Sequence, residues 1–107
     1  MSAAGATADV TALRLIIRGR VQGVGFRYAF ADEARSRKLR GWVRNRRDGS
    51  VEAIVAGPAA DIDAIVAWSR RGPMAAQVTA VETTATDGDF ASFEVFSRIW
   101  PPNQDAY

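Results

Sequence analysis

The stretch Gly19–Arg27 reads Gly-Arg-Val-Gln-Gly-Val-Gly-Phe-Arg and lies where the periodicity of the chain changes. Residues 12–18 before it, Ala-Leu-Arg-Leu-Ile-Ile-Arg, alternate in the manner of a half-buried strand. After it, Phe26, Phe30 and Ala34 recur at helical spacing and predict one apolar helix face. The sequence therefore predicts a strand, a glycine-rich loop and a helix in direct succession.

The glycines of this loop suit it to an anion. Gly19, Gly23 and Gly25 allow the backbone to curl so that successive N–H groups point inward. At a helix N-terminus these groups and the helix dipole both favour negative charge, and Arg27 adds a planar guanidinium that matches phosphate oxygens. The spacing fits neither a P-loop nor a dinucleotide fingerprint, whose third glycine would stand at Tyr28. The glycines alone fit an anion cradle or an ordinary tight turn.

Composition restricts the available chemistry. The chain has 107 residues, 48% of them hydrophobic, which fits a single domain with a modest core. It contains no cysteine and no histidine, which excludes disulfides, thiolate nucleophiles, Ser-His-Asp triads and most zinc sites. A net charge of +2 is too small to imply a polyanionic partner. A local cluster forms either an anion-steering face or a plain solvated surface, and consists of Arg35, Arg37, Lys38, Arg40, Arg44, Arg46 and Arg47.

The remaining elements predict the fold. They are a helix over about 26–38, strands over 42–44 and 51–56 joined by a turn at 45–49, a helix over about 60–70, and strands over 78–83 and 93–96. This βαββαβ order predicts an α+β, ferredoxin-like sandwich, with a mostly antiparallel sheet and two helices on one face. The domain is expected over 12–98, with a flexible N-terminal tail at 1–11 and a C-terminal tail at 99–107. Because no membrane span or signal peptide is recognisable, a cytoplasmic protein without membrane contact is expected.

Two motifs resemble those of the acylphosphatase family. The first is Gly19–Arg27. The second consists of two nearby stretches, Gly41–Asn45 (Gly-Trp-Val-Arg-Asn) and Asp48–Glu52 (Asp-Gly-Ser-Val-Glu). Further matches in kind and order are Gly57-Pro58, Trp68 and Gly72-Pro73. The resemblance covers about residues 13–96. It implies a ferredoxin-like fold and hydrolysis of acyl phosphates to a carboxylate and inorganic phosphate, without a metal or other cofactor.

The resemblance also implies individual roles. Arg27 corresponds to the phosphate-binding arginine, and Asn45 to the asparagine that positions the attacking water. The phosphate-cradling loop corresponds to Arg20, Val21, Gln22, Gly23, Val24, Gly25 and Phe26. Two departures are Arg46, where relatives often carry Thr, and Ala29-Phe30, where a polar Thr is common. The implied substrate is a small-molecule acyl phosphate. Inorganic phosphate is expected to act as a product inhibitor because it would share the cradle, and the chain is expected to be a monomer.

The chemistry required by such a substrate agrees with this composition. An acyl phosphate expels a carboxylate, whose conjugate acid has a pKa of roughly 4, so the leaving group needs no proton donor. The remaining task is to hold the phosphoryl oxygens and aim a water in line. Backbone amides and Arg27 suit the first part, and the Asn45 amide can both donate to and accept from a water. The proton of the water can pass to a phosphate oxygen.

Other interpretations remain open at the level of sequence. Taken alone, Asn45 is typical of a turn, and the pairs Asp61/Asp63 and Asp87/Asp89 are better explained as helix-capping and turn residues. Trp42 and Trp68 are expected to pack in or beside the core. An RNA-binding ferredoxin-like domain is disfavoured because strand 51–56 has no aromatic residue, and no nucleic-acid partner is expected. A non-catalytic module that binds an acyl phosphate or carbamoyl group is the second alternative, and only an activity assay separates it from an enzyme.

Overall fold

The computed structural model describes residues 11–96, which form two helices and five strands. In chain order the elements are β1 (Thr11–Arg20), α1 (Phe26–Ser36), β2 (Arg40–Asn45), β3 (Val51–Gly57), α2 (Ala59–Arg71), β4 (Gln77–Ala85) and β5 (Phe93–Val95). Every predicted helix and strand is present, with ends displaced by a few residues at most. The predicted tails lie outside the described residues, apart from Thr11, which begins β1.

The strand β2 begins two residues before its predicted start. It was predicted over 42–44, but Arg40 and Gly41 are its first residues. A Cβ at Gly41 would lie 1.9 Å from the carbonyl oxygen of Ile54, so only glycine permits this approach to β3. Asn45 was predicted to lie in the turn and instead occupies the last position of β2, opposite Val51.

The sheet has the strand order β4-β1-β3-β2-β5. Its pairs are antiparallel except for β2 and β5, which run parallel. Because β1 and β2 are both antiparallel to β3, strands β1, β2 and β5 point the same way. Their last residues, Arg20, Asn45 and Val95, therefore lie at one end of the sheet, here called the upper end. The predicted α+β ferredoxin-like architecture is confirmed.

One face of the sheet is covered by both helices and forms the core. Leu15 and Ile17 of β1 are fully buried there, together with Phe30 of α1 and Ile65 of α2. An aromatic cluster reinforces this face, since the Phe30 ring lies 6.0 Å from the Trp68 ring and 5.8 Å from the Phe93 ring. Burial of each large apolar side chain contributes about 1.5–3 kcal/mol, so this cluster dominates the docking of α1.

The opposite face carries no helix and is organised by charge. Glu52 of β3 is only 3% exposed and bridges two arginines, with Arg14 Nε at 2.5 Å from one carboxylate oxygen and Arg44 Nε at 2.7 Å from the other. Trp42 lies beside this bridge, with its ring 5.4 Å from the Arg44 guanidinium and 5.9 Å from the Phe96 ring. The predicted packing role is confirmed for Trp68, which is partly buried against the core, whereas Trp42 packs on the helix-free face.

Candidate active site

The loop between β1 and α1, residues Arg20–Phe26, is called the glycine loop below. Gly23 and Gly25 have φ of 75° and 79°, in the left-handed region, and a Cβ at either position would meet no atom within 4 Å. Backbone conformation, and not crowding, is what requires glycine there. Gly19 differs, because a Cβ would lie 2.1 Å from the carbonyl oxygen of Gln77 in the neighbouring strand. The glycines thus curl the loop and let its base approach β4.

Both ends of the glycine loop are anchored in the core. The side chains of Val21 and Phe26 are each 1% exposed, and the Phe26 ring lies 5.6 Å from the Trp68 ring. Among the predicted phosphate-loop residues, these two therefore direct their side chains into the core. Arg20 is exposed and ends β1.

The N-terminus of α1 receives no side-chain cap from the described residues 11–96. Gly25 occupies the N-cap, and the first turn contains no acidic residue. The first helical hydrogen bond runs from the Ala29 N–H to the Gly25 carbonyl at 3.0 Å. The earlier N–H groups of the helix have no intrahelical acceptor and carry the positive end of the dipole. An anion beside the glycine loop would satisfy both.

Arg27 is the second residue of α1 and reaches the upper end of the sheet. Its Nη1 donates to the carbonyl oxygen of Phe96 at 2.5 Å, and the N–H of Phe96 donates to the carbonyl of Val43 at 3.0 Å. The guanidinium therefore lies where β5 ends beside β2. A guanidinium has five N–H donors, and this contact uses one of them.

Asn45 ends β2 at the same end of the sheet. Its side-chain Oδ1 is buried and accepts no hydrogen bond from the described residues 11–96. A buried acceptor left without a donor is unfavourable by about 1–3 kcal/mol, so such a group calls for a partner such as a bound water. The Oδ1 of Asn45 therefore needs a donor that the described residues do not supply.

Gln22 joins the glycine loop to the segment that follows Asn45. Its Nε2 donates to the carbonyl oxygens of Arg46 at 2.7 Å and Ser50 at 2.8 Å. The N–H of Arg46 itself donates to the Ser50 carbonyl at 2.9 Å and closes the β2–β3 turn. The glycine loop, with Arg27 directly after it, and Asn45 are thereby brought to one place.

Asp48 holds the β2–β3 turn in shape. One carboxylate oxygen accepts from the Ser50 hydroxyl at 2.5 Å and from the Ser50 N–H at 2.9 Å. These bonds, with the nearby Arg46 and Arg18 guanidinium groups, hold the pKa of Asp48 below its usual value. Arg46 Nη1 lies 3.9 Å from the other oxygen of Asp48, so Arg46 pairs with the carboxylate of the turn.

Four of the seven residues of the predicted basic cluster make separate contacts: Arg35 with the Phe93 carbonyl, Arg37 with Glu33, Arg44 with Glu52, and Arg46 with Asp48. Sequence reasoning missed the Gln22 contact and the Glu52 bridge. The bridge was detectable, because strand alternation places Arg14, Arg44 and Glu52 on one face of adjacent strands. Nothing local in the sequence indicates the partners of Gln22.

Comparison with known proteins identifies the family. The family model named Acylphosphatase matches residues 13–95. The chain belongs to the acylphosphatase family. It is 53% identical over 81 residues to the acylphosphatase of Cupriavidus necator, covering 76% of this chain and 88% of that protein. It is 51% identical over 88 residues to the acylphosphatase of Albidiferax ferrireducens, covering 82% of this chain and 95% of the relative.

A solved structure of the family agrees. The acylphosphatase of Coxiella burnetii superposes with a TM-score of 0.80 at 31% identity, covering 82% of this chain and 94% of that one. Together these matches confirm the predicted family, the ferredoxin-like fold and the assignment as an acylphosphatase enzyme. Over residues 11–96, no helix is long and apolar enough to span a membrane.

Proposed function

We propose that the chain hydrolyses acyl phosphates by holding the phosphoryl group in the glycine loop and orienting water with Asn45. The N–H groups of residues 20–26 and the guanidinium of Arg27 bind the phosphoryl oxygens. The Asn45 amide binds the attacking water in line with the bond that breaks. The products are a carboxylate and inorganic phosphate.

The observation that carries this proposal is the buried, unsatisfied Oδ1 of Asn45. It lies at the end of β2, and the turn directly after it is hydrogen-bonded to the glycine loop through Gln22. An acceptor beside an anion-binding loop suits a water that must be held and must also face a phosphorus atom. A turn asparagine without a ligand would gain nothing from such burial.

The two acidic residues closest to this site in sequence have structural partners. Asp48 is engaged by Ser50, and its lowered pKa keeps it ionised at neutral pH. Glu52 bridges Arg14 and Arg44 on the helix-free face. Neither is needed as a base, because the phosphoryl oxygens of the substrate can take the proton of the water. The rate is therefore expected to be flat between pH 5 and 8, apart from ionisation of the substrate phosphate.

The binding energy comes from local contacts. A hydrogen bond to a charged group contributes about 1.5–3 kcal/mol, so several donors around one phosphoryl group exceed any effect of the net charge of +2. Because the product phosphate fits the same cradle, it is expected to inhibit competitively. We place the domain at 12–98 and expect a cytoplasmic monomer. We expect no nucleic-acid partner, since β3 presents Glu52 and Ile54, not aromatic residues, on the helix-free face.

The decisive test is release of phosphate from benzoyl phosphate by the purified chain, with and without excess EDTA. Equal turnover in both conditions is the expected result, because the proposed groups are backbone amides, Arg27 and Asn45. Loss of activity on chelation would contradict the mechanism. Tight binding of benzoyl phosphate without turnover would instead support the non-catalytic binding module.

A further inference from the structure

The orientation of the Gln22 side-chain amide follows from its two hydrogen bonds. Both hydrogen-bond partners, the carbonyls of Arg46 and Ser50, are acceptors, so the amide must present its NH₂ group to them. The side chain is half-buried and reaches away from the glycine loop to the β2–β3 turn. It therefore contributes no donor to an anion in the loop, although it lies in the middle of that loop.

The β2–β3 turn that accepts hydrogen bonds from Gln22 is itself closed by several hydrogen bonds. Ser50 is only 3% exposed, and its carbonyl accepts from the Arg46 N–H as well as from Gln22. Asp48 bonds both the N–H and the hydroxyl of Ser50. Asn45 belongs to the same hairpin, paired with Val51 directly beyond the turn. Whatever is attached to this turn is placed at a fixed distance from Asn45.

The glycine loop needs such an attachment. Val21 and Phe26 anchor its ends in the core, but Gly23 and Gly25 between them have wide conformational freedom. A displacement of about 1 Å between reacting groups lowers a rate by about 10²-fold. Without a restraint in its middle, the loop would hold phosphate at variable distances from the water.

We propose that Gln22 is a positioning residue that sets the distance between the phosphoryl group in the glycine loop and the water held by Asn45. This inference rests on the proposed function. The side chain of Gln22 acts through its two hydrogen bonds to the hairpin and does not contact the substrate. Its loss should therefore lower kcat and leave phosphate binding in place.

The first test replaces the amide with an apolar group of similar length, Gln22→Met. We expect kcat for benzoyl phosphate to fall by about 10–100-fold, while the inhibition constant of inorganic phosphate stays within about 3-fold of wild type. The double variant Gln22→Met/Asn45→Ala should be no slower than Asn45→Ala alone, because Gln22 acts through Asn45. The matched control is Gln77→Met, the same change at an exposed position of β4, which should leave both constants unchanged.

A second variant, Gln22→Glu, gives a readout that a purely structural role would not produce. At neutral pH a carboxylate would face two carbonyl oxygens and could donate nothing. Below an ordinary glutamate pKa of about 4.3, the protonated acid regains one O–H donor. The rate of Gln22→Glu relative to wild type at the same pH should therefore rise as the pH falls, whereas that of Gln22→Met should not.

The proposal would be overturned by wild-type kcat in Gln22→Met, by additive losses in the double variant, or by phosphate affinity that falls as much as kcat. A pH-independent ratio for Gln22→Glu would also count against it, and this holds even if Gln22→Met fails to fold. Failure of the underlying function looks different, because Asn45→Ala alone would then keep full activity. The two ideas can thus be rejected separately.

Discussion

Helices α1 and α2 both follow a β-strand and both begin without a side-chain cap, but their first turns differ. α1 starts at Gly25 in the left-handed region and has no acidic residue in its first turn. The N-cap of α2 is Pro58 in an extended conformation, Asp61 lies in the first turn, and the Asp61 N–H makes an additional bond to the Pro58 carbonyl. The positive end of α2 is therefore met by its own chain.

We infer that this difference separates an ordinary strand-to-helix junction from the anion site proposed at α1. In α2 the carboxylate of Asp61 stabilises the helix end and would repel a second anion. The first turn of α1 contains no such carboxylate. Gly23 and Gly25 have left-handed backbone before it, and Arg27 follows the glycine loop directly. On the proposed function, the α2 junction is satisfied by the chain itself and the α1 junction is completed by the phosphoryl group.

Arg27 carries the largest expected effect. Removal of a guanidinium that makes two charge-assisted hydrogen bonds costs about 3–6 kcal/mol, so Arg27→Ala should lower kcat/KM by about 10²–10⁴-fold and weaken phosphate binding. Arg27→Lys should recover little, since a point charge cannot make the two-pronged contact. Steady-state kinetics and phosphate titration measure both. The reciprocal variant Ala60→Arg, at the equivalent position of α2, should create no phosphate site, and phosphate binding there would undo the comparison.

Asn45 should separate water positioning from anion binding. Asn45→Ala is expected to cut kcat by about 10²–10³-fold, the loss typical of one well-placed polar group. Phosphate affinity should stay close to wild type because the cradle at α1 is intact. Parallel measurement of kcat and of phosphate inhibition tests this, with thermal unfolding to verify the fold. If the variant lost phosphate as badly as Arg27→Ala, the water-positioning role would be wrong.

A substitution at Gly25 tests whether phosphate binding depends on the left-handed backbone at the N-cap of α1. Gly25→Ala places a Cβ in open space but in the left-handed region, at a cost of about 1–2 kcal/mol. We expect thermal stability to fall accordingly and phosphate binding to weaken as the loop relaxes. Pro58→Ala is the matched change at α2, where φ is −60° and alanine is unstrained. An equal loss of phosphate affinity in both variants would refute a specific role for the glycine loop.

A carboxylate introduced at Tyr28, in the first turn of α1, carries the smallest expected effect on phosphate affinity. Tyr28 is 57% exposed, so Tyr28→Glu gives this helix the internal anion that α2 already has. A carboxylate near a helix N-terminus is worth about 0.3–1 kcal/mol, so phosphate affinity should fall by about 2–5-fold, more at low salt. Tyr28→Gln controls for loss of the ring, which lies 5.6 Å from the Arg27 guanidinium. Equal affinities in the two variants would show that the dipole plays no part.

Much of the fold and the site was predictable because the signals are local. The alternation of β1 and the spacing of Phe26, Phe30 and Ala34 report which faces are buried, and all three helical residues are buried. Local signals fail at element ends. α1 ends at Ser36, not near residue 38, because Lys38 adopts a left-handed φ of 59° and the Leu39 N–H turns back to the Ala34 carbonyl.

The sequence by itself determined the order of elements, the ferredoxin-like class and the family, since each rests on residues a few positions apart. It also singled out Arg27 and Asn45 through two short motifs. Only the tertiary structure decided that Arg27 meets Phe96, 69 residues away, and that Gln22 grips Arg46 and Ser50, 24 and 28 residues away. Periodicity describes neighbours within a strand or a helical turn, whereas these contacts depend on how separate strands are registered in the sheet.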